Sequence, residues 1–409
     1  MDLDFEKPGK RARYEMGGGE GPRTSFMERL PRDIILDILS RLPVTSLVQF
    51  RFVCRGWRLM AQDSLLASKH LCRTAQYNPC LILHCDYPIR NQISFVDISA
   101  ESRDKDMVRK LTIPFWASMP EFEVVGSCNG LLCLADSLFK DAVYVHNPFT
   151  RDFKQLPKSL QYPDQEVVFG FGYHPMTEVY KVVKVVYYRN GYGGFSRFRR
   201  ITCSQSEVQV LTLGSPTWRS LGKVSYQLDR WPSEALVNGR LHWVTRPRRY
   251  VTRFIVSFDL ADEQFREIPK PDCGGLSRCN YHLLVLGGCL SAAVHRSNGK
   301  LEVWVMKEYD VKESWIKEFN IGAHLPKGLK QDVNRPHRIW RNAPKGRGVR
   351  LLCLLKNGEI LLEYKGRVLV SYNPERGKFK DLTLEGLPNW FQTFVHVGSL
   401  SWIDSNTES

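Results

Sequence analysis

The segment LPRDIILDILSRLPVTSLVQFRFVCRGW, residues 30–57, decides how the first part of the chain folds. Its first half has apolar residues at helical spacing, which together make one stripe: Leu30, Ile34, Ile35, Ile38, Leu39 and Leu42. Pro31 suits the first turn of a helix, and Pro43 ends that helix just after Leu42. A second apolar run begins behind Thr45 or Ser46 as a helix cap. About 45 residues of such short helices bury too little surface to be stable alone, so part of the stripe must pack on another structure.

The same segment resembles an F-box. The matching positions are the Leu30-Pro31 opening, the Ile-Leu-x-x-Leu-Pro sequence of residues 38–43 and the Val-Cys-x-x-Trp ending of residues 53–57. The resemblance implies a three-helix module that docks on a Skp-type adaptor and, through it, on a cullin scaffold. The adaptor-binding residues that it implies are Leu30, Pro31, Ile34, Ile35, Leu39, Leu42, Pro43, Leu47, Val53 and Trp57. It favours the Leu30-Pro31 pair and the first-helix stripe as adaptor contacts, with Trp57 in a structural role. From spacing alone, an ordinary helical hairpin is the alternative.

Composition places the chain among soluble globular proteins of two or three domains. It has 409 residues, of which 43% are hydrophobic and 25% charged. The charged N-terminus lacks the apolar core of a signal peptide, and no apolar run reaches the roughly 18 residues of a membrane span. The 11 cysteines, without a C-x-x-C pair, predict buried thiols rather than disulfides or a zinc site. We therefore predict a protein of the nucleus, the cytoplasm or both, without metal or cofactor.

The first 25 residues are rich in glycine and charge and are predicted to be disordered. Within them Lys10, Arg11 and Arg13 match a short basic nuclear-import signal. The helical pattern then covers residues 26–75, and a domain of short strands occupies residues 76–403, followed by a tail of residues 404–409. The chain is thus predicted to be a multidomain α+β protein.

Repeated turns within the second domain predict its architecture. Asn-Gly or Gly-Gly pairs at residues 129–130, 238–239, 287–288 and 357–358 each precede a strand, and an aromatic-containing hairpin follows. Repeated units of four strands indicate an all-β, Kelch-like β-propeller. The predicted blades lie near residues 80–114, 126–157, 168–221, 235–269, 284–319 and 351–382. The last strand, residues 393–402, is predicted to return to the first blade and close the ring. Five or seven blades and a two-layer β-sandwich are the alternatives.

These strands resemble the F-box-associated interaction domain of large plant F-box families. The resemblance rests on GSCNGLLCL (126–134), VHNPFTRDFKQLP (145–157), FGFGYHPMTEVYKVVKV (169–185), VNGRLHWV (237–244) and SFDLADEQFREIP (257–269). It implies that this domain binds a target protein. Together with the F-box, it covers nearly the whole chain.

The net charge of +15 is concentrated in two regions. Residues 189–253 hold 12 Lys and Arg against 3 Asp and Glu, and residues 323–350 hold 8 against 1. Arginines beside aromatic residues can hold a carboxylate or phosphate, and the same composition binds RNA. Candidate target-binding residues are therefore Arg197, Arg199, Arg200, Arg246, Arg248, Arg249, Arg253, Arg338 and Trp340. Solvated loops without a ligand are the alternative.

No catalytic motif stands out in the sequence. H-E-x-x-H, G-x-S-x-G and G-x-x-x-x-G-K patterns are missing, and the strand ends carry no repeated pair of carboxylates. The sequence with its resemblances predicts a non-catalytic substrate-recognition subunit of a ubiquitin ligase of the SCF type. Its target would be an unidentified protein, and an acidic or phosphorylated one would suit the basic segments. The alternative is a non-proteolytic scaffold or nucleic-acid-binding protein that uses its basic loops.

Overall fold

The computed structural model describes residues 30–74, 79–87, 91–98, 108–188, 205–229, 235–246, 253–274, 280–330 and 348–401. The first of these stretches is helical and the others form a β-propeller. The helices are α1 (Arg32–Leu39), α2 (Val44–Phe50), α3 (Arg55–Ala61) and α4 (Ser64–Thr74). The sequence predicted three helices with a helical continuation, and a break at Gln62 and Asp63 makes that continuation a fourth helix.

Prolines rather than side-chain caps start the first two helices. The Pro31 carbonyl accepts hydrogen bonds from Ile34 N at 3.0 Å and Ile35 N at 3.2 Å. The Pro43 carbonyl likewise accepts hydrogen bonds from two N–H groups in the first turn of α2. The predicted cap at Thr45 or Ser46 is therefore wrong, because α2 already begins behind Pro43. Proline suits this place since its fixed φ is compatible with the helix start and its missing N–H is not needed there.

Six four-stranded antiparallel sheets form the propeller, as predicted. Blade 1 combines the last strand with the first three: β24 (Trp390–His396), β1 (Cys80–Tyr87), β2 (Gln92–Val96) and β3 (Val108–Leu111). Blades 2 and 3 comprise β4 (Phe122–Cys128), β5 (Leu131–Asp136), β6 (Val143–His146), β7 (Phe153–Gln155), β8 (Glu166–His174), β9 (Val179–Tyr188), β10 (Gln205–Thr212) and β11 (Arg219–Gly222). Blade 4 comprises β12 (Ala235–Val237), β13 (Arg240–Val244), β14 (Ile255–Asp259) and β15 (Phe265–Ile268). Blades 5 and 6 comprise β16 (Asn280–Leu286), β17 (Cys289–His295), β18 (Leu301–Met306), β19 (Trp315–Ile321), β20 (Val349–Leu354), β21 (Ile360–Tyr364), β22 (Val368–Asn373) and β23 (Lys378–Leu382).

The ring is closed by the C-terminal strand, as the sequence predicted. β24 pairs with β1 from Cys80↔His396 to Tyr87↔Trp390, so it begins three residues earlier than expected. A buried ion pair then links the last blade to this strand: Arg350 Nη1 donates to Glu363 Oε1 at 3.2 Å. Glu363 Oε2 accepts from Thr393 N at 2.8 Å, and Arg350 Nη2 donates to Thr393 O at 3.3 Å. Main-chain and side-chain contacts thus both join the two ends of the ring.

Apolar layers between neighbouring blades form the core. One layer combines Val183 and Val185 of blade 3 with Trp243 and Phe258 of blade 4. Gly170 permits this packing, because a Cβ atom at that position would lie 2.6 Å from Trp243 Cζ2. Close packing of this kind explains why β8, whose other apolar residues are valine, phenylalanine and tyrosine, contains a glycine in its interior.

The strand order gives the propeller two distinct faces. The innermost strand of blade 1, β24, ends beside the helices, and we call this side of the propeller the F-box face. In every blade the innermost strand therefore ends on the F-box face, and the loop between the third and fourth strands lies there too. The loops between second and third strands, and the connections between blades, lie on the opposite side, which we call the open face. Contacts between blades agree: a Cβ at Gly239 would touch His174, at the end of β8, and one at Gly366 would touch Phe391, at the start of β24.

Candidate functional site

The helical domain has a small apolar core of its own. Ile35, Leu36 and Leu39 of α1 are buried against Leu47 of α2 and Leu66 of α4. Three of the predicted adaptor-binding residues, Ile35, Leu39 and Leu47, therefore lie inside the domain. Burial explains their apolar character without a partner, since a buried aliphatic side chain contributes about 1.5–3 kcal/mol.

Other apolar side chains of the helices face outward. Phe52 is 83% exposed, and the remaining large apolar residues in this exposed set are Ile34, Ile38, Val53, Leu59 and Leu65. Pro31 and Pro43 are exposed as well. So many exposed apolar groups on about 45 residues are unusual for a free surface and indicate a protein–protein contact.

The predicted adaptor-binding set is thus divided by the structure. Pro31, Ile34, Pro43 and Val53 are exposed, Leu30, Leu42 and Trp57 are partly buried, and the remaining three are buried. The Trp57 ring lies 4.8 Å from that of Phe50, a contact within the domain. Binding by any of these residues stays a prediction. The prediction omitted Ile38, Phe52, Leu59 and Leu65, although Ile38 lies one helical turn after Ile34, a spacing that could have identified it.

The helices are fixed on the propeller by its own C-terminal segment. Leu400, completely buried, belongs to the helical core. Asn147 Nδ2 donates to Ser399 O at 3.1 Å and to Ser401 O at 2.8 Å, and Arg51 Nη1 donates to Thr150 O at 3.2 Å. We call this contact region the junction. Since it combines a shared core with hydrogen bonds to main-chain atoms, it holds the two domains in one relative orientation.

The junction also explains the Asn129-Gly130 turn. Gly130 has φ +82°, and a Cβ there would overlap the Ser399 hydroxyl. That hydroxyl donates to Asn129 O at 2.8 Å. Glycine is therefore required twice at this position, for its backbone conformation and for the close approach of the C-terminal segment.

Buried histidines of the propeller are core groups rather than ligands. Burial lowers the pKa of His84, His146 and His242 to about 4 and that of His396 to about 3. His396 Nδ1 lies 2.9 Å from Ser127 Oγ, and His146 Nδ1 lies 3.0 Å from Asp152 O. Across the described stretches, no group of three or more His, Cys, Asp and Glu side chains is arranged to hold a metal ion. In the same stretches, no helix is long and apolar enough to cross a membrane.

Cysteines in the strands match the predicted thiols. Cys80, Cys128 and Cys353 are buried, and burial raises the pKa of each thiol to about 12. Cys54 and Cys72 of the helices are exposed instead. A thiol with so high a pKa is protonated at neutral pH and is a poor nucleophile and metal ligand.

Arg246, a candidate target-binding residue, is engaged within the fold. Its guanidinium forms a bidentate ion pair with Glu166 at the start of β8, with Nη1 at 2.9 Å from Oε2. Its Nε donates to Leu228 O at 2.8 Å, and the group lies over the Tyr187 ring at 5.5 Å. These contacts give Arg246 a structural role between blades 3 and 4, while its contact with a target stays a prediction.

Most other basic candidates lie outside the described residues. These are Arg197, Arg199, Arg200, Arg248, Arg249, Arg338 and Trp340, together with Lys10, Arg11 and Arg13 of the proposed import signal. Arg253 is described and partly buried, and its Nη1 has no hydrogen-bond partner there. The flanking strands show where the basic sequences join the fold: β9, β13 and β19 all end on the open face.

Comparisons with known proteins agree with both domains. A family model described as F-box-like matches residues 27–74, and one described as an F-box associated beta propeller domain matches residues 82–402. The Arabidopsis thaliana F-box protein At3g07870 is 57% identical over 403 residues, covering 95% of this chain and 94% of the relative. F-box protein CPR1 of the same plant is 28% identical over 396 residues, covering 91% and 89%. The F-box/kelch-repeat protein At3g23880, also from Arabidopsis, is 27% identical over 373 residues, covering 86% and 89%.

Among solved structures, an oligogalacturonate lyase in complex with manganese aligns with a TM-score of 0.40 at 10% identity. The alignment covers 72% of this chain and 71% of the lyase, a likeness too low to bear on fold or function. The family models, in contrast, cover nearly all of the described fold, helices and blades alike. The chain therefore belongs to the F-box proteins with an F-box associated β-propeller domain, the family of its Arabidopsis relatives.

Proposed function

We propose that this protein is a substrate-recognition subunit of an SCF-type ubiquitin ligase. Its helices would bind a Skp-type adaptor and, through it, a cullin scaffold, while the propeller holds a target protein. The chain itself would perform no chemistry, and ubiquitin transfer would belong to the other subunits. It would act by keeping the target at high effective concentration near the charged enzyme.

The exposed apolar surface of the helices is the observation that carries this proposal. Ile34 and Ile38 project from α1, and Phe52 and Val53 project from the turn after α2, all into solvent. These side chains are not needed for the core that Ile35 and Leu39 already form. A helical domain that keeps one apolar set inside and another outside has the form expected of a docking module.

The rigid junction supports the second half of the proposal. An adaptor bound to the helices would have a fixed orientation relative to the propeller, because Leu400 and Asn147 tie the two domains together. A target on the propeller would then reach the ubiquitin-charged enzyme in a reproducible geometry. We propose that the complex acts in the nucleus or the cytoplasm, compartments in which cysteine thiols stay reduced.

Adaptor binding tests the proposal directly. The chain is co-expressed with a tagged Skp-type adaptor as wild type, as Ile34→Asp/Val53→Asp and as Met176→Asp. Met176 is 86% exposed on the F-box face of blade 3, outside the helices, and serves as a matched control. We expect the adaptor to retain wild type and Met176→Asp but to lose the double variant by at least tenfold.

Thermal unfolding of the three proteins shows whether the loss is specific. Because Ile34 and Val53 are exposed, their substitution is expected to leave the melting temperature within a few degrees of wild type. Equal recovery of wild type and double variant, or no recovery of wild type, would refute the ligase assignment. If wild type binds single-stranded RNA tightly and never the adaptor, the nucleic-acid alternative is the better one.

A further inference from the structure

We propose that a cleft between the helices and blade 1 binds a small organic carboxylate, a molecule with one carboxylate group and a compact apolar body. This interdomain cleft has a volume of about 450 Å³, within the range of roughly 300–1,000 Å³ that is usual for small-molecule sites. Its helical wall runs from Ser40 to Thr45, and its propeller wall includes Phe95, Arg109 and Phe149. The inference goes beyond the proposed function, because it assigns the chain a ligand that is neither adaptor nor target.

The apolar part of the interdomain cleft comes from both domains. Leu42 and Val44 contribute from the helices. Phe95 and Phe149, whose rings lie 5.2 Å apart edge to face, contribute from the propeller. Gly398 permits the close approach of the two sides, because a Cβ there would lie 2.8 Å from Val44 Cγ1 and 3.2 Å from Phe149 Cε2. The walls are therefore fixed before a ligand binds, so enclosing an apolar body costs little conformational entropy.

Several polar groups of the walls are engaged within the fold. His70 Nε2 lies 3.1 Å from Leu42 O, and Thr74 Oγ1 donates to His70 O at 2.7 Å. The Cys80 thiol donates to His396 O at 3.1 Å. These groups have little hydrogen-bonding capacity left for a ligand.

Two arginines, one on each wall, supply the charge that selects the ligand. Arg109 of β3 is exposed, and within the described stretches no hydrogen bond or ion pair engages its guanidinium. Arg41 donates to Asp37 Oδ2 through Nε at 3.2 Å and through Nη2 at 2.8 Å, and neither contact uses its Nη1. A guanidinium holds a carboxylate through two parallel hydrogen bonds, so these groups are suited to an organic acid.

The balance of charges around the interdomain cleft favours a ligand with a single negative charge. Among the described residues that line it, Asp97 is the only acidic one, and it already has an interaction partner. Asp37, which pairs with Arg41, pairs with Arg73 as well. Three arginines, counting Arg109, therefore face two aspartates. A monocarboxylate neutralises the remaining positive charge, whereas a phosphate group, with close to two negative charges, exceeds it.

Ligand-observed NMR on the full chain tests the interdomain cleft. A library of monocarboxylic acids, with the primary amide of each acid, is screened against wild type, Arg109→Gln and Arg376→Gln. Arg376 is exposed on the F-box face of blade 6, which contributes no described residue to the cleft, and it serves as the matched control. We expect the best acids to have an aromatic or branched aliphatic body and to bind wild type at least tenfold more tightly than their amides do. Arg109→Gln should remove most of that difference, and Arg376→Gln should keep it.

A ligand that contacts both domains should also hold them together. In the presence of the best acid, wild type should lose its helical circular dichroism signal at a higher temperature than in the amide, because binding to the folded protein stabilises it by mass action. Arg109→Gln should lose that signal at the same temperature in both. Without ligand, both variants should melt within a few degrees of wild type, since both arginines are exposed.

The remaining outcomes would overturn the inference. Acids that bind no better than their amides, or that bind wild type and Arg109→Gln equally, would show that the cleft does not recognise a carboxylate. Displacement of the acid by inorganic phosphate at equal concentration would indicate a phosphate site instead. Equal loss of binding in Arg376→Gln would show only a general attraction of anions to a basic protein.

Discussion

The junction and the open face lie at opposite ends of the same propeller and use opposite kinds of buried polar groups. At the junction the buried groups are neutral: the imidazoles of His146 and His396 and the amide of Asn147. On the open face, Lys184 and the ion pair of Arg350 with Glu363 are buried and charged, and the ion pair of Arg246 with Glu166 is half-buried. Neutral groups cost less to bury than charged ones, which suits a contact that must persist. Buried charges are costly unless partnered, and they impose strict geometry on the loops that they hold.

Acid should destabilise the junction, and this is the largest effect that we expect. The folded pKa of His146, about 4, and that of His396, about 3, lie below the usual 6.5 because both rings are buried. The unfolded chain then binds protons more readily than the folded chain below pH 6.5. The contribution of these two groups to the free energy of unfolding is therefore complete above pH 6.5. As pH falls towards 4, this contribution decreases by about 1.4 kcal/mol per pH unit for each group.

Urea unfolding at pH 7.0, 6.0, 5.0 and 4.5 measures this loss. His396→Gln should be less stable than wild type at pH 7, because its packing changes, but should show a shallower decline towards acid. Met176→Asp, at a distant exposed site, should decline as wild type does above pH 5. Parallel curves for wild type and His396→Gln would show that this imidazole does not cause the acid sensitivity.

Glu363→Gln tests how much the buried ion pair of the open face stabilises the protein. The substitution leaves Arg350 buried without its carboxylate and weakens the acceptor for Thr393 N, so the closing strand loses part of its link to blade 6. Breaking a buried ion pair in this way typically costs about 3–5 kcal/mol. Glu318→Gln is the matched control, since its pair with Lys307 is solvent-exposed and such pairs contribute at most about 1 kcal/mol. If both variants unfold at the same urea concentration, ring closure does not depend on the buried pair.

Leu400→Ala tests whether the junction stabilises the helices. Leu400 is completely buried among side chains of α1, α2 and α4. Its truncation should cost about 2–5 kcal/mol through lost burial and the remaining cavity. We expect the helical signal to unfold before the β signal in circular dichroism, and adaptor recovery to fall at 37 °C. Leu325→Ala, at an exposed site, should change neither. A single unshifted transition would show that the helices are stable without the C-terminal segment.

Local sequence signals predicted the blades, whereas contacts between distant residues escaped prediction. Asn129-Gly130 and Asn238-Gly239 adopt positive φ at both residues, which few other pairs tolerate, so the turn and hence the repeat are visible in sequence. Glu166 lies 80 residues before Arg246, and nothing in the local composition marks them as partners. The arginine therefore resembled a free surface cation.

The candidate surfaces show the same limit. Helical spacing identified the F-box stripe but could not divide it into buried Ile35 and exposed Ile34, because that division depends on where Leu400 and α4 pack. The interdomain cleft was not predicted either. Arg41 and Arg109 line it from different domains, and nothing in the local sequence marks them as neighbours.

Lys184→Met is expected to change the free energy of unfolding least, and to increase it where the other substitutions decrease it. Burial lowers the pKa of Lys184 from its usual 10.5 to about 8, so the unfolded chain binds the proton more readily between these values. Wild type should thus gain stability as pH rises from 8 towards 10.5, and the variant should not. At pH 7 methionine avoids the cost of the buried charge but loses the hydrogen bonds to Ser159 and Leu160, so a net gain of about 1–2 kcal/mol is expected. Urea unfolding at pH 7, 8, 9 and 10 separates the two proteins. Curves for wild type and variant that rise together above pH 8 would show that another group causes the gain in stability at basic pH.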